Sequence, residues 1–515
     1  MKSFRIISTL IIIFFIGHLQ AQKRDYIWLA GDDSFSTNPN FGGITINFNN
    51  DTLQVYKEDR YMNFSNGNEA AISSYSGSLL FYTNGCSLAN YQNEMLENGD
   101  SINTGSIFNS YCTDSNSDGY PSGFQSSIII PLPNSDSIYF LFHKRVILIT
   151  NPLNVLTLEL LYSIVDMSAN NGAGKVISKN QVFHQDTFAY GDMTAVRHAN
   201  GEDWWLVTPG DRNNKYFVFK FNADGIALIH KLALGDPTPS AGEGGGQVLF
   251  SPDGSKYIRF NPHNKIRMFD FDRTTGLLSN YQNIDVDFGN ESPFDGGLLI
   301  SPSGQYLYVS VKRHLYQMDL FSADVEGSQT LVGDYDGYAD PLAANFGRGL
   351  MGPDCKLYIF PGNDNRVIHV IHNPNQQGLN CNFEQHAINT LTHHGSTFPN
   401  FPNFRLGALG EPISPCAGYT VNSTEAPVFN AALPLLSVFP NPVSSYVRVL
   451  PNAVLPKGAV WSLYDGLGRR VRTVLPGGVN EPVEISLSGL PSGMYVWDLR
   501  SGDGRRLGSG KLMVR

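Results

Sequence analysis

Paired carboxylates are a common device for cleaving glycosidic and ester bonds, one donating a proton and the other activating water or holding a cation. Asp192, Glu243 and Asp295, with Arg348, stand at related places along a repeated pattern in this chain, Asp192 and Asp295 at equivalent ones. Nothing in the sequence fixes the distances between them. Satisfying nearby backbone groups or facing water accounts for such residues more simply. No catalytic residue is therefore assigned, and these four stand as candidates.

The stretch DSNSDG alternates Asp114, Asn116 and Asp118 ahead of Gly119, so three oxygen ligands could converge on one calcium ion. Position twelve of such a loop is Gln125 rather than a bidentate Glu, and no flanking helices are evident, so a plain polar loop is preferred. A structural calcium is the one cofactor entertained. GEGGGQ, Gly242 to Gln247, lacks both the GxxxxGK[ST] and the GxGxxG spacing, and Gly246 is read instead as a close backbone approach at the start of a strand. His369, His372, His386, His393 and His394 crowd one stretch of the chain. His369 and His372 have odd spacing on an expected strand and face opposite ways, so surface or turn histidines are expected rather than a metal site. Trp204-Trp205 beside Asp203 suggests a sugar platform, with one ring in the core and the other exposed. No GxSxG elbow occurs.

The elements that must position these residues repeat. FSPDGSKYIRF (Phe250 to Phe260), ISPSGQYLYVS (Ile300 to Ser310) and MGPDCKLYIF (Met351 to Phe360) each read as strand, tight turn, strand. Their prolines sit at 252, 302 and 353, and each follows a glycine by six residues: Gly246, Gly296 and Gly347. NKIRMFDFDRTTGLLSNYQNI then supplies a third strand, a turn at Thr275-Gly276, and a fourth. Four strands per period of roughly 50 residues is the pattern of a propeller blade, which buries its faces only by stacking on neighbours. Thr194 to Val207, Ser127 to His143 and Ala71 to Gly85 follow the same grammar, making six units. Tyr26 to Asp32, Gly42 to Phe48 and Thr52 to Asp59 look like second to fourth strands lacking a first, which FPNFRLG (Phe401 to Gly407) would supply. That closure removes exposed sheet edges and predicts an all-β chain with a seven-bladed β-propeller, six and eight blades being the alternatives.

Bulk properties fit this reading. The chain has 515 residues, 42% hydrophobic and only 16% charged, too long for one ordinary core. Residues 1–21 read as a signal peptide, with Lys2 and Arg5 ahead of an apolar run from Ile6 to Ile16. No other segment is apolar enough to cross a membrane, so the mature protein is expected to have no transmembrane segment. Export permits disulfides, and Cys86–Cys112 and Cys355–Cys381 are the expected pairs, leaving Cys416 over. The expected domains are the propeller over 22–410, a linker over 411–435 and a small Ig-like β-sandwich over 436–515. Leu436 to Arg515 carries ten Lys/Arg against five Asp/Glu, whereas the whole chain is net −10, so the tail differs in charge sign from the rest. An acidic exported propeller makes nucleic acid an unsuitable partner.

Two resemblances follow. GPDCKLYIF, HNPNQQGLNCNF, FPNF, AVRHANGEDWWLV and LLFYTNG resemble the WD/YVTN-like repeat propellers of secreted Bacteroidetes surface proteins, over roughly Asp25 to Gly407. That family implies a fold and no activity. The tail resembles the C-terminal sorting domain of the type IX secretion system. Its matching residues are Pro440-Asn441-Pro442, Leu463-Tyr464-Asp465 with Gly468, Leu487 with Leu490, Gly493 with Tyr495, and the end from Lys511 to Arg515. The resemblance implies delivery by the type IX machinery, with removal of signal and tail, to the outer-membrane surface or the medium. The expected role is binding or adhesion toward a protein or glycan. The rivals are a propeller hydrolase or lyase on polysaccharide or lactone, and a scaffold in a surface or gliding-motility apparatus.

Overall fold

In the computed structural model the repeated turn is built three times in one way. The N–H of Gly254 donates to Ser251 O at 2.8 Å, that of Gly304 to Ser301 O at 2.8 Å, and that of Cys355 to Gly352 O at 3.0 Å. Proline presets the first corner of a type I turn, and the fourth residue takes the left-handed conformation that lets the second strand start in register. The φ values there are 73° at Gly254, 75° at Gly304 and 68° at Cys355. A side chain in that conformation costs roughly 1 kcal/mol, so the cysteine in the third copy has a compensating use.

The structure describes residues 22–515 except 33–35, 51, 65–67, 114–118, 151–152, 239–245, 264, 290–295, 396, 417–418, 422–435, 440–442, 444, 452–454, 456, 467, 477–482 and 503–505. Two compact units divide at Glu425/Ala426. In the first, β1 (Ile27–Ala30), β2 (Gly43–Asn47) and β3 (Gln54–Glu58) form one antiparallel sheet, and β4 (Ala70–Ser73), β5 (Leu79–Thr83) and β6 (Leu88–Asn90) form the next. A short helix α1 (Ser106–Tyr111) precedes the third sheet, of β7 (Ser127–Pro131), β8 (Ile138–Thr150), β9 (Leu153–Asp166) and β10 (Lys175–Phe188). The fourth contains β11 (Thr194–Arg197), β12 (Trp204–Pro209), β13 (Lys215–Asn222) and β14 (Gly225–Ala233). The fifth contains β15 (Gln247–Phe250), β16 (Lys256–Asn261), β17 (Lys265–Asp272) and β18 (Leu277–Ile284). The sixth runs β19 (Gly296–Ile300), β20 (Tyr306–Val311), β21 (His314–Asp319), β22 (Thr330–Asp334), and the seventh β23 (Phe346–Met351), β24 (Leu357–Pro361), β25 (Val367–Ile371), β26 (Phe383–Asn389). A hairpin of β27 (Ile413–Cys416) and β28 (Tyr419–Val421) follows, inside the stretch expected to be linker.

First strands stand side by side: β1 by β4, β4 by β7, β11 by β15, β15 by β19 and β19 by β23. The N–H groups of Asp192 and Met193 donate to Phe124 O and Gln125 O, tying β7 to β11. The first and seventh sheets share one core, where Trp28, Ile46 and Phe48 pack on Tyr358, Phe360 and Val370. Sheets that follow one another around a common set of inner strands and close first on last make a β-propeller. The repeated glycine is a packing requirement. A Cβ at Gly246, Gly296 or Gly347 would lie 1.8, 2.3 or 2.6 Å from the carbonyl oxygen of Phe260, Ser310 or Phe360.

Three expectations are corrected here. FPNFRLG forms no strand: Pro402, and Pro399 just before the stretch, lack the N–H groups a ladder needs, and β1 itself is the inner strand of the first sheet. Trp204 and Trp205 do face opposite ways, yet both are buried, because a neighbouring sheet covers each face; no exposed indole remains for a sugar. Cys355 pairs with Cys416, not Cys381, which is a buried free thiol. β25 separates the strands that follow the two cysteines, β24 and β26, by roughly 9–10 Å, beyond the ~7 Å limit for a disulfide. The compensating use of the left-handed Cys355 is thus to anchor β27. Cys86 is joined to Cys112.

The second unit has a three-stranded sheet of β29 (Leu436–Phe439), β30 (Tyr446–Pro451) and β33 (Val483–Ser486), and a four-stranded one. The latter is ordered β32 (Arg470–Val474), β31 (Val460–Tyr464), β34 (Gly493–Arg500), β35 (Arg506–Val514). Val447, Val449 and Ile485 from one meet Trp461, Leu463, Leu499 and Leu512 from the other in a single core.

Candidate functional site: a threaded channel

The inner strands enclose a channel, and the stretch after the seventh sheet runs along it. Phe398 stacks on Phe124 with centroids 6.0 Å apart, at the end where inner strands begin. Asn400 Nδ2 donates to Ser127 O at 2.9 Å and to Met193 O at 3.2 Å, and Gln125 Nε2 donates to Asn400 Oδ1 at 3.1 Å. Three residues on, Asn403 donates to Pro252 O at 3.1 Å, in the turn where β15 has ended. Phe404 packs edge-on against Trp204, and Leu409 N–H donates to Ala199 O. The segment 398–409 therefore traverses the channel from one end to the other.

Amide side chains close what is left. Gln125 reaches across to β15, donating to Val248 O at 2.9 Å and accepting from Val248 N–H at 2.8 Å. Gln247 donates to Gly349 O at 2.6 Å and accepts from Leu298 N–H at 3.1 Å. Such groups satisfy edge-facing backbone polarity that would otherwise be buried unpaired. The remaining cavity, about 120 Å³, is walled by Ala195, Leu249, Leu299, Leu350, Phe401 and Arg405 among others. At its far end Arg405 forms a two-pronged ion pair with Asp25, both contacts 2.6 Å, with both side chains buried.

Of the four carboxylate and arginine candidates, two lie among the described residues. Asp192, fully buried with φ 61°, accepts from Arg259 Nε at 2.7 Å, and Arg259 is only 2% exposed. Arg348 donates to Gly246 O at 3.0 Å and lies 3.3 Å above the Phe124 ring. Both are thus held in the wall of the channel. Glu243 and Asp295 lie outside the described residues, as do the calcium candidates Asp114, Asn116 and Asp118. Among the described residues no group of three or more His, Cys, Asp or Glu is placed to hold a metal.

Sequence reading missed Glu69, immediately before inner strand β4. Burial pushes its carboxyl up to about 8 against the pull of Arg348 and Arg60. Neither oxygen finds a full hydrogen bond among the described residues, although the N–H groups of Glu69 and Phe398 lie near. Its place just ahead of an inner strand, like that of Asp192, was the available signal. A second missed constellation has triad geometry: His143 Nε2 lies 3.1 Å from Ser163 Oγ and Nδ1 lies 2.6 Å from Asn103 Oδ1. All three are completely buried, and burial pushes His143 down to about 3. With Ser163 Oγ also accepting from Asn180 N–H, this is a stitch between loops and the third sheet, not a nucleophile within reach of substrate.

The histidine expectation is corrected in part. His372 and His386 are surface residues paired with Glu384 and Asp336 at 2.7 and 2.8 Å. His369 and His394 are buried among aromatic rings, and burial pushes them down to about 3 and about 4. His393, also buried, pairs with Asp364 at 2.8 Å.

In the second unit, Gly468 takes φ 75° in a turn that Asp465 closes by accepting from Gly468 and Arg469. Tyr495 is buried and donates to Pro491 O at 2.8 Å, Gly493 opens β34, and Lys511 faces Val496 across the β34–β35 ladder. Pro440, Asn441 and Pro442 lie outside the described residues.

Residues 437–515 match the family described as the secretion system C-terminal sorting domain, so the second unit is a sorting domain of the type IX pathway. That tail indicates export to the cell surface or secretion. Among the described residues no helix is long and apolar enough to cross a membrane. No curated protein matches the chain. Solved structures that resemble it include a protein from Lactobacillus plantarum, 13% identical over 72% of this chain and 98% of that one, TM-score 0.38. A putative 6-phosphogluconolactonase from Bacteroides fragilis is 14% identical over 60% of this chain and 94% of its own, TM-score 0.28. A gluconolactonase from Xanthomonas campestris is 12% identical over 59% and 84%, TM-score 0.29. Likeness at these scores identifies no activity, and the propeller architecture stands on the chain's own sheet order and packing.

Proposed function

We propose that this chain is an exported binding or adhesion module. In this reading the type IX machinery delivers it to the cell surface or the medium, and the propeller recognises a protein or glycan there with the loops its rigid ring holds in place. The observation that carries the reading is the threaded channel. A propeller hydrolase or lyase needs an open channel with carboxylates in reach of substrate. Here the axis is occupied by residues 398–409, and Asp192 is enclosed with Arg259. The test is a screen of the purified mature chain against lactones and polysaccharides, with and without EDTA. No turnover is expected. Turnover abolished by Asp192→Ala in a variant that still folds would overturn the reading in favour of a channel enzyme.

A further inference from the structure

Exposed tyrosines are unevenly distributed over the propeller. Tyr56, Tyr61, Tyr75, Tyr91 and Tyr111 leave 39–50% of their surface to solvent, all within the first two sheets and α1 or the loops beside them. From Ser127 to Asp334, loops included, the exposed large apolar side chains among the described residues are by contrast aliphatic, such as Leu148, Ile177, Ile229 and Leu331, with Phe321 the exception. The first two sheets also differ in having three strands among the described residues where their successors have four.

Two of these tyrosines flank one polar network, and Tyr91 lies in the turn that supplies it. Tyr56 and Glu58 alternate onto the same face of β3. Glu58 accepts from Thr45 Oγ1 at 2.6 Å and from Asn93 Nδ2 at 3.1 Å, which links the first sheet to the second. Asn93 Oδ1 in turn accepts from Tyr82 OH at 2.9 Å, and the Tyr82 oxygen accepts from Tyr61 N–H at 3.3 Å. Tyr61 OH points at Met95 Sδ, 3.5 Å away. Tyr91 stands in the same turn as Asn93, which is closed by Asn90 accepting from Asn93 and Glu94. Backbone bonds and the network fix the strand and turn that carry these residues, so little backbone freedom is left to lose on binding.

Tyrosine offers a flat apolar face and a hydroxyl on a side chain with few torsions, and Glu58 and Asn93 add an acceptor and an amide on the same strand and turn. That combination suits a sugar ring, whose C–H face stacks while its hydroxyls hydrogen-bond. Beside these rings the exposed basic side chain Lys57 stands against Glu58, Asp59 and Glu94, while Glu97 and Asp100 are paired with Lys175 and Lys179 and Glu69 and Arg60 are buried, so an anionic ligand is disfavoured. We propose that Tyr56, Tyr61 and Tyr91, around Glu58 and Asn93, form a binding site for neutral oligosaccharide on the rim of the first two sheets. This rests on the binding-module reading and adds the place and the ligand class.

The test is calorimetric titration of the mature chain with cellohexaose, mannohexaose, maltohexaose and, as the anionic comparison, hexagalacturonate. At least one neutral hexaose should bind. Tyr91→Ala should weaken that binding tenfold or more, and Tyr61→Ala with Tyr91→Ala should abolish it, with melting temperatures unchanged because both rings are exposed. Tyr338→Ala, an exposed ring elsewhere, should bind as wild type. Binding that survives the double substitution overturns the site while leaving the binding-module reading intact. Absence of binding by every neutral hexaose, or preference for hexagalacturonate, overturns the ligand class. If a protein partner is captured instead, the module reading stands without this inference.

Discussion

Breaking the Cys355–Cys416 bridge tests how the channel segment is held. The bridge spans 61 residues, from the turn before β24 to the end of β27, and so encloses the whole threaded stretch. On the chain-entropy account a closed loop of that length is worth about 4 kcal/mol. For a unit of about 400 ordered residues the unfolding entropy is about 0.8 kcal/mol per kelvin, so the expected fall in melting temperature is about 5 °C. The assay is thermal unfolding of wild type, Cys416→Ser and Cys381→Ser, each with and without dithiothreitol. Reduction should lower the wild type and Cys381→Ser equally, since Cys381 is not in a bridge. Cys416→Ser should start lower and respond less, retaining only the contribution of Cys86–Cys112. Peptide mapping should recover a Cys355–Cys416 crosslink. A Cys355–Cys381 crosslink, or a reduction response lost in Cys381→Ser, would refute the argument.

Other outcomes follow from the same contacts. Asp192→Ala leaves the Arg259 guanidinium buried without that partner, and denaturant unfolding should show a loss of about 3–5 kcal/mol. His143, His369 and His394 are held neutral in the folded state, below their ordinary value of 6.5, whereas the unfolded chain protonates them below that pH. The unfolded state thus binds more protons, and stability should fall as pH drops from 6.5 toward 4, by up to about 4 kcal/mol per pH unit for three protons. Glu69 acts in the opposite sense: folded, it keeps a proton up to about 8 that the unfolded chain releases near 4.5, so stability declines as pH rises through that window. Melting temperature against pH should peak near 6.5, and Glu69→Gln should flatten the alkaline side; a wild-type profile level from pH 4 to 8 would contradict both. Deleting 436–515 should leave the propeller in the periplasm, read by fractionation, and normal surface display would count against the sorting role.

Local patterns were legible because they are set by short-range chemistry. Pro252, Pro302 and Pro353 preset a corner, Gly254 and Gly304 accept a left-handed turn, and Gly246, Gly296 and Gly347 admit a neighbouring carbonyl. Periodicity in those residues announced strands, the repeat announced stacked sheets, and the tail motif announced its family. Alternation also placed Trp204 and Trp205 on opposite faces. What alternation does not contain is the neighbour: burial of both rings is decided by sheets on either side, contributed by residues far along the chain. The same limit hid the path of 398–409, since two prolines rule out a strand but do not say where a non-strand goes. The Cys86–Cys112 expectation held, whereas Cys355–Cys381 failed for a related reason, because the sequence does not say that a strand lies between them. The fold, then, was written in turns and periods that each residue carries locally. The threaded channel, the buried carboxyl of Glu69 and the network joining Thr45, Glu58, Asn93 and Tyr82 exist only once distant segments meet, and that meeting is decided by packing and shared hydrogen bonds.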